Sequence, residues 1–213
     1  MSDRGLILHL PLNGSLRDRS QYRNHASRVG TESLLGWGAG CLGNGRGLDS
    51  ESTANTSYVS IPNIPAYQSD VFSIAFWLRI DAWTLNYARI IDKNYTNGFV
   101  IHRNYNNSTL QFNIQNSTQL NSTSGVILAQ WQHWAFTRTG SAGRWYLNGR
   151  LDVSGSINSA ANTNVSEIRL FSSQVDTAYQ KGGMCDLRMY NRVLTPVEVM
   201  HLYNRLRMGK SNV

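Results

Sequence analysis

Cysteine is nearly missing from this 213-residue chain, in which only Cys41 and Cys185 occur. Two thiols cannot make the framework of a small disulfide-stapled fold. A chain of this length buries roughly 70% of its unfolded surface without one. One Cys41–Cys185 bridge and two free buried thiols both fit, so cysteine usage leaves the compartment open. Lysine is as scarce: Lys93, Lys181 and Lys210 are the only lysines among 20 basic residues. Glutamate occurs as Glu32, Glu51, Glu167 and Glu198, each alone. Long apolar runs are absent too. Gly5 to Leu12 is too short and too badly flanked for a signal peptide or a membrane span. A membrane partner is therefore not expected. The Asn-x-Ser/Thr triplets, from Asn13 to Asn164, read as by-products of Asn and Ser richness. The expectation is synthesis in a cytoplasm, with any extracellular role reached by another route.

These gaps exclude most chemistry. A retaining glycosidase needs two carboxyl groups about 5 to 5.5 Å apart, and isolated glutamates do not announce such a pair. There is no Gly-x-x-x-x-Gly-Lys-Ser/Thr phosphate loop, no serine nucleophile elbow and no His-Glu-x-x-His. His9, His25, His102, His133 and His201 show no zinc spacing, and His133 beside Trp134 reads as a structural strand residue. The glycine-rich stretch Gly36 to Gly47 reads as turns and a bulge between strands. Catalysis is not expected.

What remains is globular, with 41% hydrophobic and 15% charged residues. The net charge of +7 is carried mostly by arginine. Its planar fork suits bidentate contact with carboxylate, phosphate or sulfate. The arginines are scattered and no basic run resembles a nucleic-acid arm, so nucleic acid is not an expected partner. A solvated basic surface and an anionic partner are the two readings of that charge.

The centre of the pattern is Trp131 to Val153. Trp134 and Phe136 alternate with His133, Ala135 and Thr137, the period of a pleated strand with one buried face. Gly140 to Gly143 supply a turn, Trp145 and Leu147 share the next inward face, and Asn148-Gly149 marks a type I′ hairpin. Around this meander lie strands at Leu6–Leu12, Tyr58–Ile61, Val71–Ile80, Ala88–Asp92, Gly98–Arg103, Thr109–Gln115, Val165–Phe171 and Gly183–Tyr190. Asn116 to Ser124 reads as a loop or weak edge strand. Trp77 on the second face of Val71–Ile80 means that face is not simply solvent. Trp77, Trp131, Trp134 and Trp145 are assigned to packing. Thr195-Pro196-Val197-Glu198 is a capping box that starts a helix, with Val199, Tyr203 and Leu206 on one face and Gly209 as its C-terminal cap.

The order of these motifs resembles the laminin-G-like (concanavalin A-like) jelly-roll family, in its bacterial and viral branch. LHLPLNGSLRDRSQYRNHAS resembles the opening strand and its Asp-x-Ser loop. SYVSIPN and FSIAFWLRID resemble the next two family strands, WQHWAFTRTG and WYLNGRLDV the paired central elements, and CDLRMYNRVLTPVEVMHLY the closing strand and helix. Arg46-Gly47-Leu48-Asp49 departs from the pattern, since the family places a bulkier apolar strand there. The resemblance implies one domain over residues 1–213, an all-β sandwich of two antiparallel sheets with a short C-terminal helix against an end. It also suggests a structural calcium held by Asp18 and Asp186, with backbone carbonyls near Asn24 and His25 completing an oxygen shell. The alternative is that both are turn-capping aspartates. The Glu-x-Asp-x-x-Glu strand of the family's glucanase members does not occur.

Binding is the remaining expectation. Sugar rings stack on aromatic faces while their hydroxyls seek Asn, Asp or Arg. Tyr95, Arg103, Asn104, Tyr105 and Asn106 fit on loops, where binding residues concentrate, with Trp37 and Trp83 as further candidates. The expected role is a non-enzymatic surface-binding module on a phage or virus particle, displayed at the virion surface. Its partners would be a glycan and a capsid or tail protein, with a second copy of the chain (a homo-oligomer) as a further candidate. The alternatives are an extracellular carbohydrate-binding accessory of a polysaccharide-degrading system and, behind it, a glycoside hydrolase or lyase.

Overall fold

The computed structural model describes residues 3–41 and 45–208, with the side chains of 206–208 left out. Fifteen strands and one helix follow one another: β1 (Leu6–Leu10), β2 (Ser27–Val29), β3 (Leu35–Ala39), β4 (Arg46–Ser50), β5 (Tyr58–Ile61), β6 (Val71–Ala82), β7 (Arg89–Lys93), β8 (Phe99–Arg103), β9 (Thr109–Ile114), β10 (Leu120–Gly125), β11 (Gln132–Thr139), β12 (Ala142–Leu147), β13 (Arg150–Ser156), β14 (Ile168–Leu170), β15 (Lys181–Tyr190) and α1 (Pro196–Met208). They form two antiparallel sheets. One has eight strands in the order β13-β12-β11-β6-β15-β4-β3, with β1 added beside β15. The other has seven, in the order β10-β9-β8-β7-β14-β5-β2. Among the described residues no helix is long and apolar enough to cross a membrane.

The expected sandwich is what forms, and alternation places its core. Trp134, Phe136 and Trp145 are fully buried between the sheets with Phe72, Ile74, Phe76, Leu78 and Ile80 of β6. From the facing sheet come Phe99, Ile101, Leu110, Phe112 and Ile114. Phe112 stacks on Phe136 across the interface at 4.0 Å. Each such side chain, fully withdrawn from water, contributes about 1.5–3 kcal/mol. Asn148 (φ 49°) and Gly149 (φ 81°) make the two-residue hairpin between β12 and β13. The preceding turn is tighter than expected: Thr139 already pairs with Ala142, so only Gly140 and Ser141 turn the chain.

The second face of the eight-stranded sheet is covered, as Trp77 required. The helix packs on this outer face rather than across an end, because Ala75, Ala135 and Tyr146 offer Val199 and Leu202 an apolar seat. Tyr203 stacks on Trp77 at 5.7 Å, beside buried Cys41 and Cys185, both of which are free thiols. The capping box is made in both directions. The Thr195 amide donates to Glu198 Oε2 at 2.9 Å, and the Glu198 amide donates to Thr195 Oγ1 at 3.3 Å. Arg192 adds a bidentate pair at 2.9 and 2.6 Å, and its hydrogen bonds hold the Glu198 carboxyl down at about 2. Gly209 and the side chain of Leu206 lie outside the described residues.

Four stretches differ from the sequence expectation. Within the glycine-rich stretch, Gly36 to Ala39 is not turn but part of β3, paired with β4 from Asp49 back to Arg46. Arg46 to Ser50 is a regular strand despite its composition, because Leu48 alone supplies the inward apolar contact while Gly47 is packed too closely for a larger side chain. Ser27–Val29, exposed throughout, is a strand by pairing with β5 alone. Val165 to Phe171 shortens to β14, since Asn164 and Ser166 tie the preceding residues into turns.

Candidate functional site

The seven-stranded sheet turns its other face outward. Alternation along β8 and β9 puts Val100, His102, Gln111 and Asn113 on that side, opposite the core residues. A hollow of about 570 Å³ lies over it. Its walls come from four connections: Tyr87 before β7, Tyr95 between β7 and β8, Asn116 between β9 and β10, and Asp176 before β15. Tyr87, Asn94, Gln115 and Asn116 in these connections all adopt positive φ, between 48° and 58°. Bulky residues rarely hold that conformation, and backbone strain of this kind gathers at functional sites.

A buried charge network sets the walls. Arg89 donates to the Tyr87 carbonyl at 2.8 Å and to Asp176 Oδ2 at 2.6 Å. Its Nε lies 3.4 Å from Asp92 Oδ2, an ion-pair contact without hydrogen-bond alignment. The Tyr95 ring covers the guanidinium at 5.0 Å. Burial pushes the Asp92 carboxyl above its usual range, against the pull of Arg89. His102 is pushed down to about 3, by burial first and by the Arg89 charge second, so its ring is neutral. Its Nδ1 is 2.7 Å from the Arg103 carbonyl and must carry the proton, which leaves Nε2 as an acceptor. The Gln111 amide is clamped by Asn104 Oδ1 at 3.2 Å and Asn121 Oδ1 at 2.7 Å. Asn113 donates to Gln119 at 3.2 Å, yet its buried Oδ1 has no partner.

Of the residues singled out from sequence, Tyr95 lines the hollow. Tyr105 stands half exposed with its ring 5.5 Å from Tyr87, and Asn104 supports Gln111 from behind. Arg103 is a buckle: it donates to the carbonyls of Asn107, Asn106 and Leu85 and lies over Trp83 at 5.1 Å. Asn106 thus contributes its backbone, and Trp83 packs on the core under Arg103. Trp37, on β3 of the other sheet, packs on the core away from this group. Sequence reasoning missed Tyr87, Arg89, His102 and Asp176. Gln111 and Asn113 alternate with Leu110, Phe112 and Ile114 along the strand, a signal that its second face is polar.

Asp18 and Asp186 meet through His9 rather than through an ion site. Asp18 Oδ1 accepts the His9 and Ser20 amides at 2.8 Å each. Its Oδ2 accepts Ser20 Oγ at 2.7 Å and the Asn24 amide at 2.8 Å. Asp186 accepts His9 Nε2 at 2.8 Å and the Arg188 guanidinium at 3.0 Å. Burial pushes Asp186 up, but these two partners outweigh it and hold the carboxyl far below its usual range. A donor-saturated Asp18 and an Asp186 beside an arginine do not fit calcium, which wants free oxygens and no adjacent cation. Among the described residues the acidic group that could hold a metal is Asp49, Glu51 and Asp81, with oxygens within 4.8 Å of one another. Arg79 already bridges Asp49 and Asp81 there, at 2.6 and 2.7 Å.

The family model of the concanavalin A-like lectin/glucanases superfamily, in its laminin-G form, matches residues 53–200. No curated protein sequence matches the chain. Among solved structures, domain 4 of AbnA, a GH43 extracellular arabinanase from Geobacillus stearothermophilus in complex with arabinotriose, is similar at a TM-score of 0.70 and 19% identity, over 93% of this chain and 98% of that one. Botulinum neurotoxin type C, whose cell entry depends on interaction with two ganglioside molecules, is similar at 0.72 and 20%, over 95% and 51%. The binding domain of Paraclostridial Mosquitocidal Protein 1 follows at 0.74 and 16%, over 94% and 52%. The chain spans about half the length of these two toxin chains. At such identities the likeness carries the fold alone. With the family match covering well over half of the sequence, the chain belongs to the concanavalin A-like lectin/glucanases superfamily, in its laminin-G form.

Proposed function

We propose that this protein is a non-catalytic glycan-binding module whose sugar site is the hollow over β7, β8 and β9. The observation that carries the reading is the buried, unpartnered Oδ1 of Asn113 in a hollow walled by Tyr87 and Tyr95. Buried polar atoms are almost always partnered, and a sugar hydroxyl would complete this one. His102 Nε2 offers a second acceptor, while the tyrosine rings present faces to the apolar side of a sugar ring. Arg89 is already neutralised by Asp92 and Asp176, so this hollow favours an uncharged sugar. The likeness to an arabinanase domain solved with arabinotriose and to ganglioside-dependent toxin supports the class of ligand. A glycan array with the intact chain, followed by calorimetry on its best neutral hit, tests the reading. Asn113→Ala should weaken binding about tenfold, the loss of a buried hydrogen bond, with little change in melting temperature. Unchanged affinity would remove the hollow as the site.

For the setting we propose display on a virus particle, on the resemblance of the motif order to the bacterial and viral branch. Capture of capsid or tail proteins by the tagged chain is its test. The arabinanase likeness favours the second reading, an accessory to polysaccharide degradation, which predicts binding to insoluble plant polysaccharide instead.

A further inference from the structure

The loop between β1 and β2 is built for the opposite charge to the one its aspartate suggests. A second hollow, of about 580 Å³, lies there, lined by Arg17, Arg19, Arg23 and His25. All four residues are exposed. Among the described residues the three guanidinium groups meet no carboxylate, in contrast to Arg28, Arg79, Arg89, Arg169, Arg188 and Arg192, which each hold one. Three fixed positive charges within seven residues repel one another unless an anion lies between them.

The one acid in this wall, Asp18, faces inward. It is buried and its four hydrogen bonds leave no lone pair for the arginines. Those same bonds make the loop stiff. The Asp18 carboxylate gathers the amides of Ser20 and Asn24, and the Ala26 amide closes on the Leu16 carbonyl at 3.0 Å. Asn24 Nδ2 anchors the far side to the Pro62 carbonyl at 2.6 Å. His25 Nδ1 accepts the Asp18 amide at 3.1 Å, so its Nε2 carries a proton and is a donor. The aspartate thus organises a frame from which four donor groups project, a preorganised site at low entropic cost.

We propose that this hollow is an oxyanion site that takes the sulfate or carboxylate groups of an acidic polysaccharide. The choice of polysaccharide as carrier rests on the glycan-binding reading above; the oxyanion chemistry rests on the arginines alone. Planar guanidinium forks match both groups with paired hydrogen bonds. A single hollow with three arginines in its lining suits one or two charged sugar units better than the long run of phosphates of a nucleic-acid backbone. It shares no lining residue with the first hollow, so one chain would read a neutral and an anionic part of its ligand separately.

The test is calorimetry of the intact chain with dextran sulfate, polygalacturonate, uncharged dextran and duplex DNA. Arg17→Gln/Arg19→Gln/Arg23→Gln is compared with Arg144→Gln/Arg150→Gln/Arg205→Gln, which removes as much charge elsewhere. The first triple variant should bind dextran sulfate or polygalacturonate about tenfold more weakly, the product of three contacts of about twofold each, and the second within about twofold of the parent. Uncharged dextran should show no dependence on either triple. Circular dichroism and melting temperature should be unchanged in the first triple, since none of its side chains holds the fold. The proposal is overturned if neither acidic polymer binds, if both triples lose affinity equally, or if duplex DNA binds as tightly with the same dependence. Asn113→Ala separates the two sites: it should leave acidic-polymer binding within about twofold while it weakens binding of the neutral sugar about tenfold.

Discussion

Lowering the pH from 8 to 5 should remove about 4 kcal/mol of stability through two buried histidines, His102 and His133. Burial pushes His102 down to about 3 and His133 to about 4, from an ordinary value of 6.5. In the unfolded chain both titrate normally and take up protons below 6.5, whereas in the fold they stay neutral. The unfolded state then binds more protons, so stability present above 6.5 is lost as pH falls. At pH 5 the difference is about 2 kcal/mol for each ring, from its two protonation constants. That is a large fraction of the 5–15 kcal/mol typical of a domain. Asp186 and Glu198, held below their usual range, add to the loss only at more acid pH; Asp92, held above it, works against the loss. Urea unfolding followed by fluorescence of the buried tryptophans measures the slope, and His102→Gln and His133→Gln test its origin. Each variant should lose about half of the pH dependence between 8 and 5, whatever its absolute stability. A flat profile in the parent, or an undiminished slope in both variants, refutes the reasoning.

Other perturbations read other parts of the structure. A Cβ added at Gly98 would lie 1.8 Å from the Lys93 carbonyl oxygen, inside any allowed contact, so the turn carrying Tyr95 must open. Gly98→Ala should cost about 2–3 kcal/mol in chemical denaturation. Thr195→Ala removes one half of the capping box, and should cost about 1 kcal/mol by the same assay while leaving the sheets intact by circular dichroism. Because the oxygens of Asp18 are saturated by donors and Asp186 sits against Arg188, EDTA should leave the melting temperature unchanged. A clear drop would place a bound cation in the fold and reverse that assignment.

The sandwich was legible in the sequence where local signals agreed. Trp134 and Phe136 alternate with polar or small neighbours, and Asn148-Gly149 can hold positive φ at both turn positions, so β11 to β13 follow from the residues alone. Strand β2 was not legible, because Ser27, Arg28 and Val29 carry no burial pattern and are strand only through their pairing with β5. The candidate site was half legible for the same reason. Gln111 and Asn113 show themselves as the polar side of β9, and Tyr95 as a loop aromatic. That His102 of β8 stands beside Gln111, and that Asp176 reaches Arg89 from 87 positions away, are products of register and long-range closure. The arginine excess was visible from composition, but only the fold shows that Arg17, Arg19 and Arg23 share one concavity while six others are committed to carboxylates.

Strand β15 lies between β6 on one side and, in succession, β4 and β1 on the other. A ribosome releases those three early strands long before their shared neighbour exists. Until residues 181–190 emerge, the eight-stranded sheet is split down its middle with bare backbone along the gap, the kind of edge that recruits foreign strands. Nascent chains halted before that point should therefore need a chaperone, and the emergence of β15 should act as a zip that closes the eight-stranded sheet at once.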